Sequence, residues 1–114
     1  MKIIKYEDSE KFERGNECTV WEYPINDKDI NIGVAQINGR YPEKGYAINE
    51  KCKEIIYVIS GSGVLYKKDN ETINFKEKDV IFIDKNEPYY WIGKCTVLMP
   101  CTPAWYIEQY KTID

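Results

Sequence analysis

The sequence predicts an all-β protein that closes into an antiparallel barrel or a double-sheet jelly roll. Short segments rich in Ile, Val, Tyr and Trp follow one another, and turn residues separate them at intervals of about 8–12 residues. So many short strands in 114 residues would leave edges open to other chains unless the sheet closes on itself. No composition shift, repeat or low-complexity stretch divides the chain, so we expect one domain over residues 1–114.

The individual strands are predicted from β-branched and aromatic residues that lie between turn residues. They cover Thr19–Tyr23, Ile30–Ile37, Tyr46–Ile48, Glu54–Ser60, Gly63–Lys67, Glu71–Phe75, Val80–Ile83, Tyr89–Ile92, Cys95–Met99 and Trp105–Tyr110. Helical pattern is confined to the polar segment Glu7–Arg14, with Asp8 or Ser9 as candidate N-caps and Gly15 after its end. The fold therefore contains at most a short N-terminal helix.

The segment Glu71–Phe75 shows an alternation of apolar and polar residues. Ile73 and Phe75 alternate with polar residues, which is typical of a strand with one dry and one wet face. The polar run Lys67–Thr72 just before it predicts the tip of a hairpin that joins two such strands.

The composition excludes several classes of protein. The chain has 16 basic and 19 acidic side chains and a net charge of −3, so it lacks the basic surface that attracts nucleic acids and anionic membranes. It contains no histidine, which excludes from one subunit a Ser-His-Asp triad, a Cys-His dyad and any imidazole-ligated metal site. We expect neither a nucleic-acid partner nor a membrane partner.

The N-terminal residues and the cysteines predict a cytoplasmic protein. No apolar run near Met1 has the length of a signal-peptide core, and no run reaches the ~20 apolar residues of a membrane helix. The four cysteines, at positions 18, 52, 95 and 101, are too few and too scattered for a secreted disulfide scaffold. We expect them to be reduced and partly buried.

Residues 45–93 contain two blocks with a distinctive spacing. In the first, Glu54 begins the hydrophobic strand Glu54–Ser60, and Gly61 follows it. In the second, Asp79 precedes the strand Val80–Ile83, and a turn then leads to Tyr89. These spacings, turns and hydrophobic registers resemble the two conserved blocks of the cupin superfamily, in particular its small single-domain members. The resemblance implies a double-stranded β-helix, which is the jelly-roll β-barrel of the cupins.

The same resemblance bears on metal binding, because cupins hold Fe, Mn, Ni or Zn through histidines and a glutamate. In this chain the ligand positions correspond to Ile48, Glu50, Glu54 and Tyr89. With the longer spacing in the first block, Asn49 and Ala47 take the places of the first two. Neither register supplies an imidazole, so the facial triad of an iron oxygenase is excluded. We expect no transition metal and no cofactor, although the oxygen donors leave Mg²⁺ or Ca²⁺ open.

The residues that we predict to bind a ligand are Glu50, Glu54, Tyr89 and Trp91. By analogy with the cupins, Glu54 points inward, where loss of hydration raises the pKa of a carboxyl group and suits it to acid–base catalysis. The alternative is a structural Glu54 that hydrogen-bonds to Tyr89 or to a backbone amide. Tyr89 and Trp91 share one strand face and Tyr90 takes the other, so the first two could line a barrel mouth or simply fill the core.

Three functions fit such an interior. The leading one is binding of a sugar-like or other polar metabolite without a transition metal, because aromatic walls with a few carboxylates suit such ligands. The alternative is a metal-independent isomerase, epimerase or lyase of a sugar-like substrate, with Glu54 or Glu50 as base and Tyr89 as acid. The third is the ligand-sensing domain of a transcription factor, but no basic helix-turn-helix segment accompanies it, which excludes DNA reading by this chain. Because small cupins commonly pair, the resemblance also implies a homodimer.

Overall fold

The computed structural model describes residues 1–114 and consists of one curled antiparallel sheet of nine strands. The strands are β1 (Glu10–Glu13), β2 (Cys18–Glu22), β3 (Asn31–Tyr41), β4 (Tyr46–Asn49), β5 (Lys53–Lys67), β6 (Thr72–Lys76), β7 (Val80–Ile83), β8 (Tyr89–Thr102) and β9 (Tyr110–Ile113). Two 3₁₀ turns cover Tyr6–Asp8 and Ile107–Gln109. The predicted all-β jelly-roll barrel is confirmed. No helical segment has the length and apolarity that a membrane crossing requires.

The two longest strands, β5 and β8, form the centre of the sheet. They pair with each other from Lys53–Thr102 at one end to Lys67–Tyr89 at the other. On its other side β8 pairs with β3 and the sheet continues through β2 to β1, while β4 and β9 follow from the Tyr89 end of β8. The free side of β5 pairs with β7 and β6. The curl of this sheet brings its ends together around one interior.

The predicted breaks at Gly61–Gly63 and at Gly93 are wrong, because each pair of expected strands is one continuous strand. Gly93 of β8 lies opposite Gly63 of β5 and opposite Gly39 of β3, so three glycines form a row across the sheet. A Cβ on Gly93 would lie 2.6 Å from the carbonyl oxygen of Ser62. The glycines therefore permit a close approach of the neighbouring backbones, and they do not end the strands.

Both ends of the chain also differ from the prediction. The segment Glu7–Arg14 is not a helix: β1 begins at Glu10 and pairs with β2, because one apolar residue, Phe12, does not give a helix an apolar face to bury. The strand expected over Trp105–Tyr110 is a 3₁₀ turn instead, and β9 begins only at Tyr110, where it pairs with Asn49 of β4.

The core lies on the inner face of the curled sheet. Its buried side chains are Cys18, Ala35, Ile37, Ala47, Ile56, Val58, Leu65, Phe75, Ile81, Ile83, Tyr89, Trp91, Cys95 and Val97. In β5 the burial alternates strictly from Lys53 to Val58, so Glu54 shares the inner face with Ile56 and Val58, as predicted. All four cysteines are buried and unpaired.

Candidate functional site

A pocket opens into the barrel beside this core. The space in it that a water-sized molecule can reach amounts to about 90 Å³. Aliphatic and aromatic side chains make up most of its wall, with a small number of polar groups among them. The polar and aromatic side chains that line it are Arg14, Glu22, Asn31, Tyr41, Asn49, Glu54, Tyr89, Trp91, Trp105 and Tyr110. Apolar walls with a few placed polar groups are typical of small-molecule sites.

Glu54 presents a buried carboxyl group to this pocket. Its side chain is 8% exposed, because the alternation of β5 turns it into the barrel. Burial disfavours the charged carboxylate and raises the pKa of Glu54 to about 7, although a hydrogen bond from Asn49 favours the charged form. A carboxyl group with this pKa exchanges protons readily near neutral pH.

Asn49 holds Glu54 through a chain of amide hydrogen bonds. Its Nδ2 donates to Oε1 of Glu54 at 2.6 Å, while its Oδ1 accepts from Nε2 of Gln109 at 2.8 Å and from Nε1 of Trp105 at 3.2 Å. Because the two incoming N–H groups need an oxygen, the amide can face Glu54 only with its nitrogen. Gln109 is fixed in turn by the backbone N–H groups of residues 51 and 52, which donate to its Oε1 at 3.2 Å.

Tyr89 and Trp91 project inward from β8 next to Glu54. Tyr89 lies opposite Ala47 of β4, whose small side chain leaves room for the ring. The rings of Tyr89 and Trp91 meet edge to face with centroids 6.4 Å apart. Burial, followed by the nearby charge of Glu54, raises the pKa of Tyr89 well above its ordinary value. Tyr89 therefore keeps its proton and can donate a hydrogen bond to an oxygen atom in the pocket.

Two further phenols, which the sequence does not bring together, meet in the pocket. The hydroxyl groups of Tyr41 and Tyr110 lie 2.9 Å apart, although 69 residues separate them in the chain. Burial raises the pKa of both phenols. The pair is neutral and offers a ligand both a hydrogen-bond donor and an acceptor.

A charged pair from the first two strands completes the lining. Arg14 follows β1 and Glu22 ends β2, and Nη2 of Arg14 lies 3.8 Å from Oε1 of Glu22. Burial raises the pKa of Glu22 and the Arg14 charge lowers it, with burial the larger effect. Neither residue stands out in the sequence, because polar residues near the ends of short strands are usually solvated.

Three of the four residues predicted to bind a ligand lie together in the pocket. Glu54, Tyr89 and Trp91 line it, whereas Glu50 is exposed and lies outside it. The strand β4 turns Ala47 and Asn49 inward, so the longer register of the first block is the one that faces the interior. The spacing before Glu54 in the sequence allows this longer register, but it does not show that Asn49 contacts Glu54. A ligand-binding role for the four residues stays a prediction.

The inward residues do not fit the transition metals that the cupin resemblance implies. Of the positions that correspond to metal ligands, Ala47 has no donor atom, and the amide of Asn49 uses its oxygen and its nitrogen in the hydrogen bonds described above. Glu54 is the one carboxylate among them, and no group of three His, Cys, Asp or Glu side chains could share a metal ion. These positions therefore offer neither the imidazole nitrogens nor the thiolate sulfurs that bind such metals.

Comparison with known proteins identifies the fold. No protein-family model and no curated protein matches the sequence. Among solved structures, a variant of Streptomyces PAC13 with uridine is 18% identical, with a TM-score of 0.88 over 100% of this chain and 92% of PAC13; PAC13 is described as a nucleoside dehydratase. The polyketide cyclase RemF from Streptomyces resistomycificus is 20% identical, with a TM-score of 0.76 over 100% of this chain and 86% of RemF.

A third similar structure is KdgF from a Halomonas species, which is 10% identical with a TM-score of 0.69 over 90% of this chain and 94% of KdgF. At these identities the superpositions carry information about the fold alone. The agreement over almost the whole of each chain shows that this protein has the cupin-like barrel fold.

Proposed function

We propose that this protein binds a small polar metabolite with a flat apolar face in the barrel pocket, without a transition metal. The observation that supports this best is the carboxyl group of Glu54, which is buried in the pocket wall at a pKa of about 7. Burying such a group destabilises the fold, and a group of this kind is typical of a functional site.

The other walls of the pocket match the same class of ligand. The rings of Trp91 and Trp105 offer flat apolar surface, and the hydroxyls of Tyr41 and Tyr110 offer hydrogen bonds. Uridine, the compound found with PAC13, combines a flat ring with a polar sugar and is a ligand of this kind. Nucleosides and sugars are therefore the first compounds to test.

Titration with uridine, free sugars and organic acids, followed by tryptophan fluorescence, tests binding because Trp91 and Trp105 line the pocket. We expect a saturable signal for at least one compound and about a tenfold or greater loss of affinity in Glu54→Gln, because a charged hydrogen-bonding group is lost. Glu77→Gln is the matched control, since Glu77 is exposed on the turn after β6 and does not line the pocket. Equal weakening by both variants would contradict a site at Glu54.

A second candidate function is metal-independent acid–base catalysis, favoured by the adjacent Glu54 and Tyr89. In this proposal the Glu54 carboxylate removes a proton from a carbon atom of the substrate, and the Tyr89 hydroxyl donates a hydrogen bond to the oxygen on which negative charge develops. Return of the proton to carbon gives an isomer or epimer. Its transfer to a departing hydroxide gives an alkene and water, which is the reaction of a lyase.

Proton exchange distinguishes the enzyme from a simple binding protein. For any compound that binds, NMR in D₂O would reveal loss of a carbon-bound proton. We expect exchange in the wild type, with a rate that rises with pH through about 7 as Glu54 ionises. Glu54→Gln should abolish exchange. Tyr89→Phe should slow it while binding is retained, and binding with no exchange at any pH would limit the protein to binding.

We also propose a homodimer in the cytoplasm, on the strength of the cupin resemblance and the residue composition. The outer faces of β5 and β7 carry exposed apolar side chains, including Ile55, Tyr57, Val80 and Phe82, which is typical of a surface that contacts another protein. Size-exclusion chromatography with light scattering measures the mass directly. A single species of 13.5 kDa would contradict the dimer.

A further inference from the structure

We propose that Arg14 and Glu22 together recognise an edge of the ligand on which a carbonyl group lies next to an N–H group. Such an edge occurs in lactams and cyclic imides, including the pyrimidine bases. The inference rests on the proposed function, because it concerns how the same pocket selects its ligand.

Arg14 is held in place without using its hydrogen-bond donors. Its backbone N–H donates to the carbonyl of Cys18 at 2.7 Å, which fixes the start of the side chain. The guanidinium carbon lies 5.3 Å from the ring centroid of Phe12 and 5.2 Å from that of Trp105, so cation–π contacts orient the group. No protein atom accepts a hydrogen bond from its guanidinium, and the side chain is only 26% exposed.

Glu22 is equally free to contact a ligand. The distance of 3.8 Å between its Oε1 and Nη2 of Arg14 is too long for a hydrogen bond, and its carboxylate accepts none from any other group. Its side chain is 34% exposed. The pocket wall therefore holds a planar donor beside an acceptor, and both retain their hydrogen-bonding capacity.

The charges of this pair select the type of ligand. A free oxyanion at Arg14 would meet the carboxylate of Glu22, and a free cation at Glu22 would meet the guanidinium of Arg14. A neutral edge with adjacent C=O and N–H groups satisfies both residues at once, since Arg14 donates to the carbonyl and Glu22 accepts from the N–H. The ring of Trp105, which already contacts Arg14, can stack on the same flat ligand.

This recognition pair lies on a different wall of the pocket from Glu54. Glu22 belongs to β2 and Glu54 to β5, and the strands β3 and β8 separate them in the sheet. A ligand that spans the pocket would thus be oriented at one end by Arg14 and Glu22 while its other end reaches Glu54. Such two-point binding fixes which atoms of the ligand face the carboxyl group.

Uridine and 3-methyluridine are the probes that test the inference, because the methyl group replaces the N–H between two carbonyls and leaves the ribose unchanged. We expect wild-type protein to bind uridine at least about tenfold more tightly, since a charged hydrogen bond is lost with the methylated compound. In Glu22→Ala the two compounds should bind equally. The exposed Glu77→Ala on the turn after β6 is the matched control and should keep the preference.

Arg14→Gln should weaken uridine about tenfold or more and 3-methyluridine by a similar factor, because both keep their carbonyl groups. Circular dichroism of each variant checks that it is folded, and the comparison of the two compounds on wild type does not depend on any variant. Equal affinities on wild type, or a preference that persists in Glu22→Ala, would overturn the inference. So would competition by inorganic phosphate or malonate that is lost in Arg14→Gln, because Arg14 would then serve an oxyanion.

Failure of this inference is distinguishable from failure of the proposed function. If a sugar without an N–H group binds in a Glu54-dependent manner and uridine does not, the recognition pair is wrong and the metabolite-binding pocket stands. If no compound of the panel binds the wild type, the proposed function fails and the inference fails with it.

Discussion

The polar side chains on two walls of the same pocket differ in whether they form hydrogen bonds within the protein. On the wall of β4 and β5, the buried side chains of Asn49 and Glu54 hydrogen-bond to each other, and Asn49 also accepts from Gln109 of the second 3₁₀ turn. On the wall of β1 and β2, the side chains of Arg14 and Glu22 approach each other without a hydrogen bond and make none to other groups of the protein. The polar groups of the first wall are therefore bonded within the protein, while the side-chain donors and acceptors of the second wall are not.

The difference shows how a small barrel can hold a buried carboxyl group. Glu54 is exposed to 8% and Asn49 and Gln109 to 2% each, and buried polar groups persist when their bonds are made. Asn49 fixes one carboxylate oxygen of Glu54 and leaves the other without a protein partner. The first wall thus combines a bonded polar network with one free carboxylate oxygen, and we expect the selectivity for ligands to depend on the second wall.

The largest effect on stability should come from breaking the amide chain with Asn49→Leu. This change removes the partner of Glu54, Trp105 and Gln109 together, and each unsatisfied buried group costs about 1–3 kcal/mol. We expect the free energy of unfolding in urea to fall by about 4 kcal/mol. Asn74→Leu, on the exposed face of β6, should change it by less than about 0.5 kcal/mol. A similar small loss for both variants would mean that the first wall is not structural.

Glu54→Gln should stabilise the protein above neutral pH. Because folding raises the pKa of Glu54 from 4.5 to about 7, the folded protein binds more protons than the unfolded chain between these values, and stability falls as pH rises through this window. The destabilisation is complete above pH 7 and amounts to roughly 3 kcal/mol. The variant should thus match the wild type near pH 4 and exceed it at pH 8.

Urea unfolding of both proteins across this pH range measures the effect, and the exposed Glu77→Gln shows how the rest of the protein responds. A difference between Glu54→Gln and wild type that does not change with pH would show that Glu54 is not desolvated. The idea that the first wall sacrifices stability for reactivity would then be wrong.

The smallest effect on stability should follow from Glu22→Ala in the second wall. A partly exposed ion pair at 3.8 Å contributes about 0–1 kcal/mol, so the free energy of unfolding should change by less than about 1 kcal/mol. The same variant should abolish the discrimination between uridine and 3-methyluridine. A loss of several kcal/mol would instead assign Glu22 to the folded structure and remove the contrast between the walls.

The sequence predicted the residues of the first wall better than those of the second, because the direction of a strand residue follows from a local pattern of alternation. Glu54 begins a hydrophobic strand with period-two alternation, so its inward direction follows from the register of β5 alone. The contacts of Asn49 with Gln109, or of Tyr41 with Tyr110, depend on how β4 pairs with β9, and no periodicity encodes that pairing. The glycines at 63 and 93 predict turns that the structure lacks, because a glycine that permits a close approach of two backbones gives the same sequence signal as a turn glycine.

The N-terminal error has a similar origin. Glu7–Arg14 has helix-favouring residues, but β2 offers a free edge, and pairing with it overrides weak local propensity. Arg14 reaches its contact with Trp105 only because β1 pairs with β2. A helix predicted over Glu7–Arg14 therefore gives no indication that Arg14 lies in a pocket wall. Charged residues near a strand end carry no sign of whether they face water or a pocket.

The segment from Trp105 to Tyr110 supplies two of the pocket's side chains and the amide of Gln109 that holds Asn49, and this has a consequence for biosynthesis. A nascent chain that has reached residue 104 already contains Glu54, Tyr89 and Arg14, yet it lacks the indole, amide and phenol that Trp105, Gln109 and Tyr110 contribute. At about 5–20 residues per second, those groups follow within a second or two. Ligand affinity should therefore be acquired only once residues 105–110 have been synthesised and have packed onto the barrel, and metabolite capture would report that this segment has docked.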